Sequence, residues 1–123
     1  MVKLSRLDIV LIDLEPTKSS EIKKVRPCVI VSPNIINYHS RAIIICAITH
    51  YDKEKSKSYF FIPISANNTT GLKKKSLINT MQVRTINRIR VIKKLGKVSK
   101  SRESSLDYAL TLTLGTNMEV KRL

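Results

Sequence analysis

Apolar residues in this chain come in short runs, parted by polar, turn-forming segments. That spacing predicts strands over most of its length. Asp8–Leu14 (DIVLIDL) reads as a first strand, followed by a loop over Glu15–Lys24 (EPTKSSEIKK). Arg26–Ser32 (RPCVIVS) reads as a second strand and Asn34–Ser40 (NIINYHS) as a single helical turn. Arg41–Thr49 (RAIIICAIT) is β-branched nearly throughout, which suits a third strand. Tyr59–Ile64 (YFFIPI) and Ser76–Val83 (SLINTMQV) supply a fourth and a fifth, with Asn67–Gly71 (NNTTG) composed as a hairpin loop between them.

The period changes near the C-terminus. Leu106, Ala109, Leu110 and Leu114 form a stripe along one face of a helix starting about Ser105. Ser104 with Asp107 has capping-box spacing, and Gly115 sits where a helix C-cap belongs. Five strands and one helix are too few for an α/β fold. The prediction is a mainly β protein, a small antiparallel barrel with the C-terminal helix as its lid. No repeat, linker or composition break divides the chain, so residues 1–123 are read as a single domain.

A chain of 123 residues with 42% hydrophobic content can bury a modest core. The longest apolar run, Ala42–Ile48, is too short to cross a bilayer. Lys3, Arg6, Asp8 and Asp13 leave no room for the apolar centre of a signal peptide, so a cytoplasmic protein with no membrane partner is expected. Cys28 and Cys46 lie inside apolar segments and read as small core residues. His39 and His50 stand alone, and no Cys-x-x-Cys occurs, so no metal site is expected.

Charge changes the picture. Lys and Arg total 23 against 9 Asp and Glu, a formal net charge of +14. Residues 55–102 hold thirteen of those basic residues and no acid. A field of one sign over that length suits a polyanion, nucleic acid first. Nuclease chemistry on paired carboxylates around Mg²⁺ is hard to assemble here, because Asp8 and Asp13 are an odd number of residues apart on one strand and face opposite ways. Cofactors are therefore expected to be none. Arg26 stands out instead: it is a guanidinium at the mouth of an apolar strand, held extended by Pro27.

Asp8-Ile9-Val10, then Asp13 to Glu21 (DLEPTKSSE), then Arg26-Pro27-Cys28-Val29-Ile30 resembles the opening of the MazF/PemK (Kid) family of toxin endoribonucleases. The resemblance continues through Ala47-Ile48-Thr49, Gln82 to Ile86 (QVRTI) and Leu110 to Gly115 (LTLTLG), in the family's order. It implies an SH3-like barrel and a homodimer that cuts single-stranded RNA without a metal. It further implies a cognate MazE-like antitoxin whose acidic tail occupies the RNA groove, and products ending in 2′,3′-cyclic phosphate and 5′-hydroxyl. Arg26 and Thr49 carry over as catalytic. Thr17, Lys18, Ser19 and Ser20 are candidate RNA-contacting loop residues, Glu21 a candidate to orient Arg26 or gate the loop, and Gln82 a candidate to read a base edge by hydrogen bonding.

These residue types fit the implied reaction. Attack of a 2′-hydroxyl on the adjacent phosphate builds charge on the non-bridging oxygens, which preorganised donors stabilise. Arg26 offers a planar fork with permanent charge, and Thr49 a hydroxyl at a strand end. Arginine is a poor general base, so Arg26 reads as a charge stabiliser. The chain departs from the family in carrying Leu7 and Ser19 where glycines are usual. Two other functions remain open on sequence: a catalytically silent nucleic-acid-binding barrel, and a gyrase-targeting toxin of the same fold.

Overall fold

A computed structural model describes residues 3–14 and 25–116 of the chain. Six strands, β1 (Asp8–Asp13), β2 (Val25–Ile30), β3 (Ala42–His50), β4 (Phe61–Ile64), β5 (Ser76–Asn87) and β6 (Val91–Lys97), form one sheet in the order β4-β5-β3-β2-β1-β6. Every pairing is antiparallel. The described residues also form two α-helices, α1 (Asn34–His39) and α2 (Glu103–Leu114), and three single-turn 3-10 helices. None of these helices is long and apolar enough to cross a membrane.

The long apolar runs exist because the central strands are buried on both faces. Ile9, Val29, Cys46 and Ile48 face one core, closed by Leu106 and Ala109 of α2 and by Ile62 and Ile64 of β4. Val10, Ile12, Cys28, Ile30, Ile43 and Ile45 face a second core, closed by Ile86 near the end of β5 and by Val91 at the start of β6. The lid helix and the small barrel are thus as the periodicity predicts.

The sixth strand was not predicted. Lys93, Lys94 and Lys97 interrupt its apolar pattern, and it pairs with β1 alone at the sheet edge, where lysines suit a solvated strand. The loop after β4 nevertheless reaches this edge and closes the barrel: Lys97 N–H donates to Thr69 O at 2.8 Å. A Cβ on Gly96 would collide with the Thr69 and Thr70 backbone, and one on Gly71 (φ +71°) with Leu95 O. Only glycine lets the two segments approach so closely.

The expected capping box is also not made. Helix α2 begins at Glu103 behind an Arg102 cap with no side-chain cap bond. Its acids serve Arg6 instead, at 3.3 Å to Glu103 and 2.8 Å to Asp107. Gly115 does end the helix in the left-handed region.

Candidate active site

Cys28 faces Ala47, and there the β2–β3 ladder stops. Carried two residues further, the same register would set Arg26 opposite Thr49. Instead the strands part, and Val25–Pro27 and Ile48–His50 line the two sides of a cleft of about 570 Å³. Arg26 and Thr49 line this one cleft, brought there by register rather than by sequence proximity.

Both side chains are under-bonded. Among the described residues, the half-buried Arg26 guanidinium makes one hydrogen bond, Nη2 to Ile48 O at 3.4 Å. Thr49 Oγ1 is buried and has no hydrogen-bond partner among them. A buried polar atom left unsatisfied costs about 1–3 kcal/mol, so its retention needs an explanation outside the fold's own stability. Thr49 Oγ1 is closed off from solvent in the free chain. To donate to a phosphate it must rotate or a neighbour must give way.

The rest of the cleft is basic and apolar. Lys73 and Lys74, from the loop that docks on β6, and Lys93 from β6 itself line it, and among the described residues no Asp or Glu does. These lysines belong to the acid-free tract, but only the Gly71–Leu95 and Gly96–Thr70 contacts show that they reach this site. His50 lines the cleft too, at the exposed end of β3. Gln82 lies elsewhere: between the pairs Cys46–Val83 and Ala47–Asn79, residues 80–82 bulge from β5, and Gln82 is exposed there and does not line the cleft. Thr17, Lys18, Ser19, Ser20 and Glu21 fall outside the described residues.

No thiol competes as a nucleophile. Burial raises the Cys28 pKa to about 11, against the opposing pull of Arg26 and Arg84. Burial, reinforced by Cys28, raises that of Cys46 to about 12. Asp8 is buried and committed to Lys94 at 3.2 Å and to Ser5 N–H at 2.8 Å. Among the described residues no three His, Cys, Asp or Glu side chains gather into a metal-binding group.

Residues 5–114 match the family model of PemK-like, MazF-like toxins of type II toxin–antitoxin systems. The chain belongs to this family. An Endoribonuclease MazF from Staphylococcus epidermidis is 35% identical over 115 residues, 93% of each chain. Among solved structures, a MazE–MazF crystal structure from Deinococcus radiodurans aligns with a TM-score of 0.77 at 18% identity, over 95% of this chain and all (100%) of that one. A mycobacterial endoribonuclease in complex with its cognate antitoxin aligns with a TM-score of 0.74 at 18% identity, over 93% and 97%. These structural likenesses establish the MazF-type fold. Leu7 is the one described non-glycine residue with positive φ, 77°, at the position where the family resemblance implies a glycine.

Proposed function

We propose that the protein is the toxin of a type II toxin–antitoxin pair, and that it cuts single-stranded mRNA sequence-selectively with the RNA's own 2′-hydroxyl as nucleophile and no metal. The observation that carries this reading is that a buried hydroxyl with no hydrogen-bond partner among the described residues and an under-bonded guanidinium belong to one cleft, whose described lining holds lysines and no acid. The curated relative's activity and the antitoxin complexes of the structural neighbours support it.

In this mechanism the lysines draw the RNA backbone into the cleft. Arg26 binds the non-bridging oxygens of the scissile phosphate, and its charge stabilises the pentacoordinate transition state. Thr49 donates its hydroxyl to the same phosphate. The 2′-hydroxyl gives up its proton to solvent as its oxygen attacks phosphorus, the bond to the 5′-oxygen breaks, and the leaving oxygen takes up a proton from solvent, so no net proton is consumed. The upstream product ends in 2′,3′-cyclic phosphate and the downstream product in 5′-hydroxyl. Thr17, Lys18, Ser19, Ser20 and Glu21 complete the site on the family resemblance, and Gln82 serves as a more distant RNA contact. A MazE-like antitoxin with an acidic tail fits the same basic cleft by charge. The protein acts in the cytoplasm, as a homodimer, with residues 1–123 as one folded unit.

The test uses an RNA with a single 2′-deoxyribose at the nucleotide 5′ to the scissile phosphate. It should bind like the parent and resist cutting, while the all-RNA parent is cut in excess EDTA. Mass spectrometry should find a cyclic phosphate on the upstream fragment. Efficient cutting of the deoxy substrate, or a strict Mg²⁺ requirement, overturns the mechanism. Intact RNA together with inhibited supercoiling in a gyrase assay would favour the gyrase-targeting reading.

A further inference from the structure

Strand β6 separates two cavities, and Lys93 lines both. One is the cleft beside Arg26 and Thr49. The other, a groove of about 610 Å³, lies at the turn joining β5 to β6, where Ile92 and Lys94 alternate with the cleft's Lys93 and Leu95. Its apolar part comes from Leu4, Ile89, Val91 and Ile92. Leu4 and Val91 pack into the second core, but Ile89 is 83% and Ile92 52% exposed. The turn that presents Ile89 is firmly bonded. Asn87 Oδ1 accepts from Ile89 N–H at 3.0 Å, and Arg88 donates to Asn37 O and Ser40 O. Two isoleucines held in water at one groove call for an occupant that covers them.

We propose that this groove carries the single-stranded RNA onward where it leaves the cleft on one side of the scissile phosphate. The inference rests on the ribonuclease reading above and adds a second substrate-binding surface across β6. Charge fits it: Arg41, Arg88, Lys93 and Lys94 surround the groove, and among the described residues no Asp or Glu lines it. Carbonyl partners leave the charge of Arg88 uncancelled, whereas Lys94 is paired with the buried Asp8 at 3.2 Å. Arg41 and Lys93 are exposed and make no ion pair among the described residues. Because Lys93 borders both cavities, a backbone held at Arg26 passes from one to the other beside cations throughout. Every nucleotide brings a phosphate and a base face, so RNA of any flanking sequence can meet both the cations and the isoleucines. A peptide does so only if its own sequence supplies acids and apolar residues in turn. A duplex keeps its base faces stacked inside, which leaves a single strand as the occupant.

The experiment compares one cleavage site in a short oligonucleotide and in RNAs lengthened on one side at a time by sequence that is not cut. Lengthening on one side should lower KM about tenfold, the scale for one added base contact, and leave kcat unchanged, because the contact is equal in ground and transition states. In Arg41→Gln and in Ile89→Ser that gain should shrink to about threefold or less, while the short substrate is cut within about twofold of the wild-type rate. Arg41→Gln should also flatten the slope of log affinity against log salt for the long RNA by about 0.7, and Ile89→Ser should not. Lys100→Gln, which removes a charge just before α2, should keep the full gain. Both test residues are exposed, and melting curves establish that each variant is folded. No gain from lengthening on either side in the wild type overturns the groove while leaving the ribonuclease reading intact. A full gain in both folded variants overturns it as well. So does saturable binding of a peptide of alternating Glu and Leu that the two substitutions abolish while the RNA gain persists. A protein that cuts no RNA at all overturns the ribonuclease reading first.

Discussion

Two arginines, Arg6 and Arg26, stand near opposite ends of β2 in quite different states. Arg6 is engaged at all three guanidinium nitrogens: its Nε donates to Val31 O at 3.0 Å, and its two terminal nitrogens pair with Glu103 and Asp107 of α2. Its own backbone N–H is capped by Asn34 Oδ1 at 2.7 Å. Arg26 makes one long bond to a neighbouring carbonyl and lines a cleft with Thr49, whose buried hydroxyl has no partner among the described residues. A guanidinium engaged by the fold at every nitrogen clamps a helix. One that the fold leaves largely unspent is available to a phosphate.

The largest effect should come from Arg26→Ala. RNA cleavage should fall by about 10³–10⁵-fold, the scale for an arginine that carries transition-state charge. The melting temperature should barely move, because little hydrogen bonding is lost. Arg6→Ala reducing single-turnover cleavage as much as Arg26→Ala would erase the distinction between the two residues.

Thr49→Val, nearly isosteric, should cost about 10²–10³-fold in rate, as for removal of one oxyanion-type donor. It should also raise stability by up to about 1 kcal/mol in urea titration, because an unsatisfied buried hydroxyl goes with it. A less stable variant would mean that the hydroxyl is satisfied in the free protein.

Arg6→Ala should act the opposite way. It should lower stability by roughly 1–2 kcal/mol, the scale of a partly buried, charge-assisted pair of bonds. Cleavage by the folded protein should stay within about twofold of wild type, since no reacting group is touched.

The smallest effect sharpens the comparison beside Arg6. Leu7 holds a φ of 77° between two backbone bonds, Leu7 N–H to Ile30 O and Val98 N–H to Leu7 O, both 2.8 Å. Glycine is normally worse than alanine in regular structure, but here Leu7→Gly should be more stable than Leu7→Ala by about 1 kcal/mol, because only glycine enters the left-handed region freely. Chemical denaturation of both variants checks the order. The reverse order would mean that the bonds to Ile30 and Val98 do not hold this conformation in solution.

Much of the fold is legible in the sequence because β1, β2 and β3 are buried on both faces, so their apolar runs are nearly unbroken. Strand β6 is not legible: it is an edge strand whose lysines face solvent, and its pattern matches a polar loop. The start of α2 was misread for a related reason. Local spacing offered Asp107 to Ser104, but Arg6, about a hundred positions away in sequence, offers it a charge. Leu7 shows the converse, a departure from the family's glycine that is visible in sequence and whose backbone consequence is visible only in φ.

By itself, the sequence determined the strand-rich plan, the basic field and the motifs that make Arg26 and Thr49 candidates, because hydrophobic period, charge count and motif are properties of neighbouring positions. Only the tertiary structure decided that Arg26 and Thr49 flank one cleft, that Lys73, Lys74 and Lys93 reach it, and that Leu11, Leu72 and Leu95 wall it. Those relations come from where the β2–β3 ladder stops and from the close backbone approach at Gly71 and Gly96. Register and closure join segments far apart along the chain, and no local pattern encodes the point at which two paired strands part.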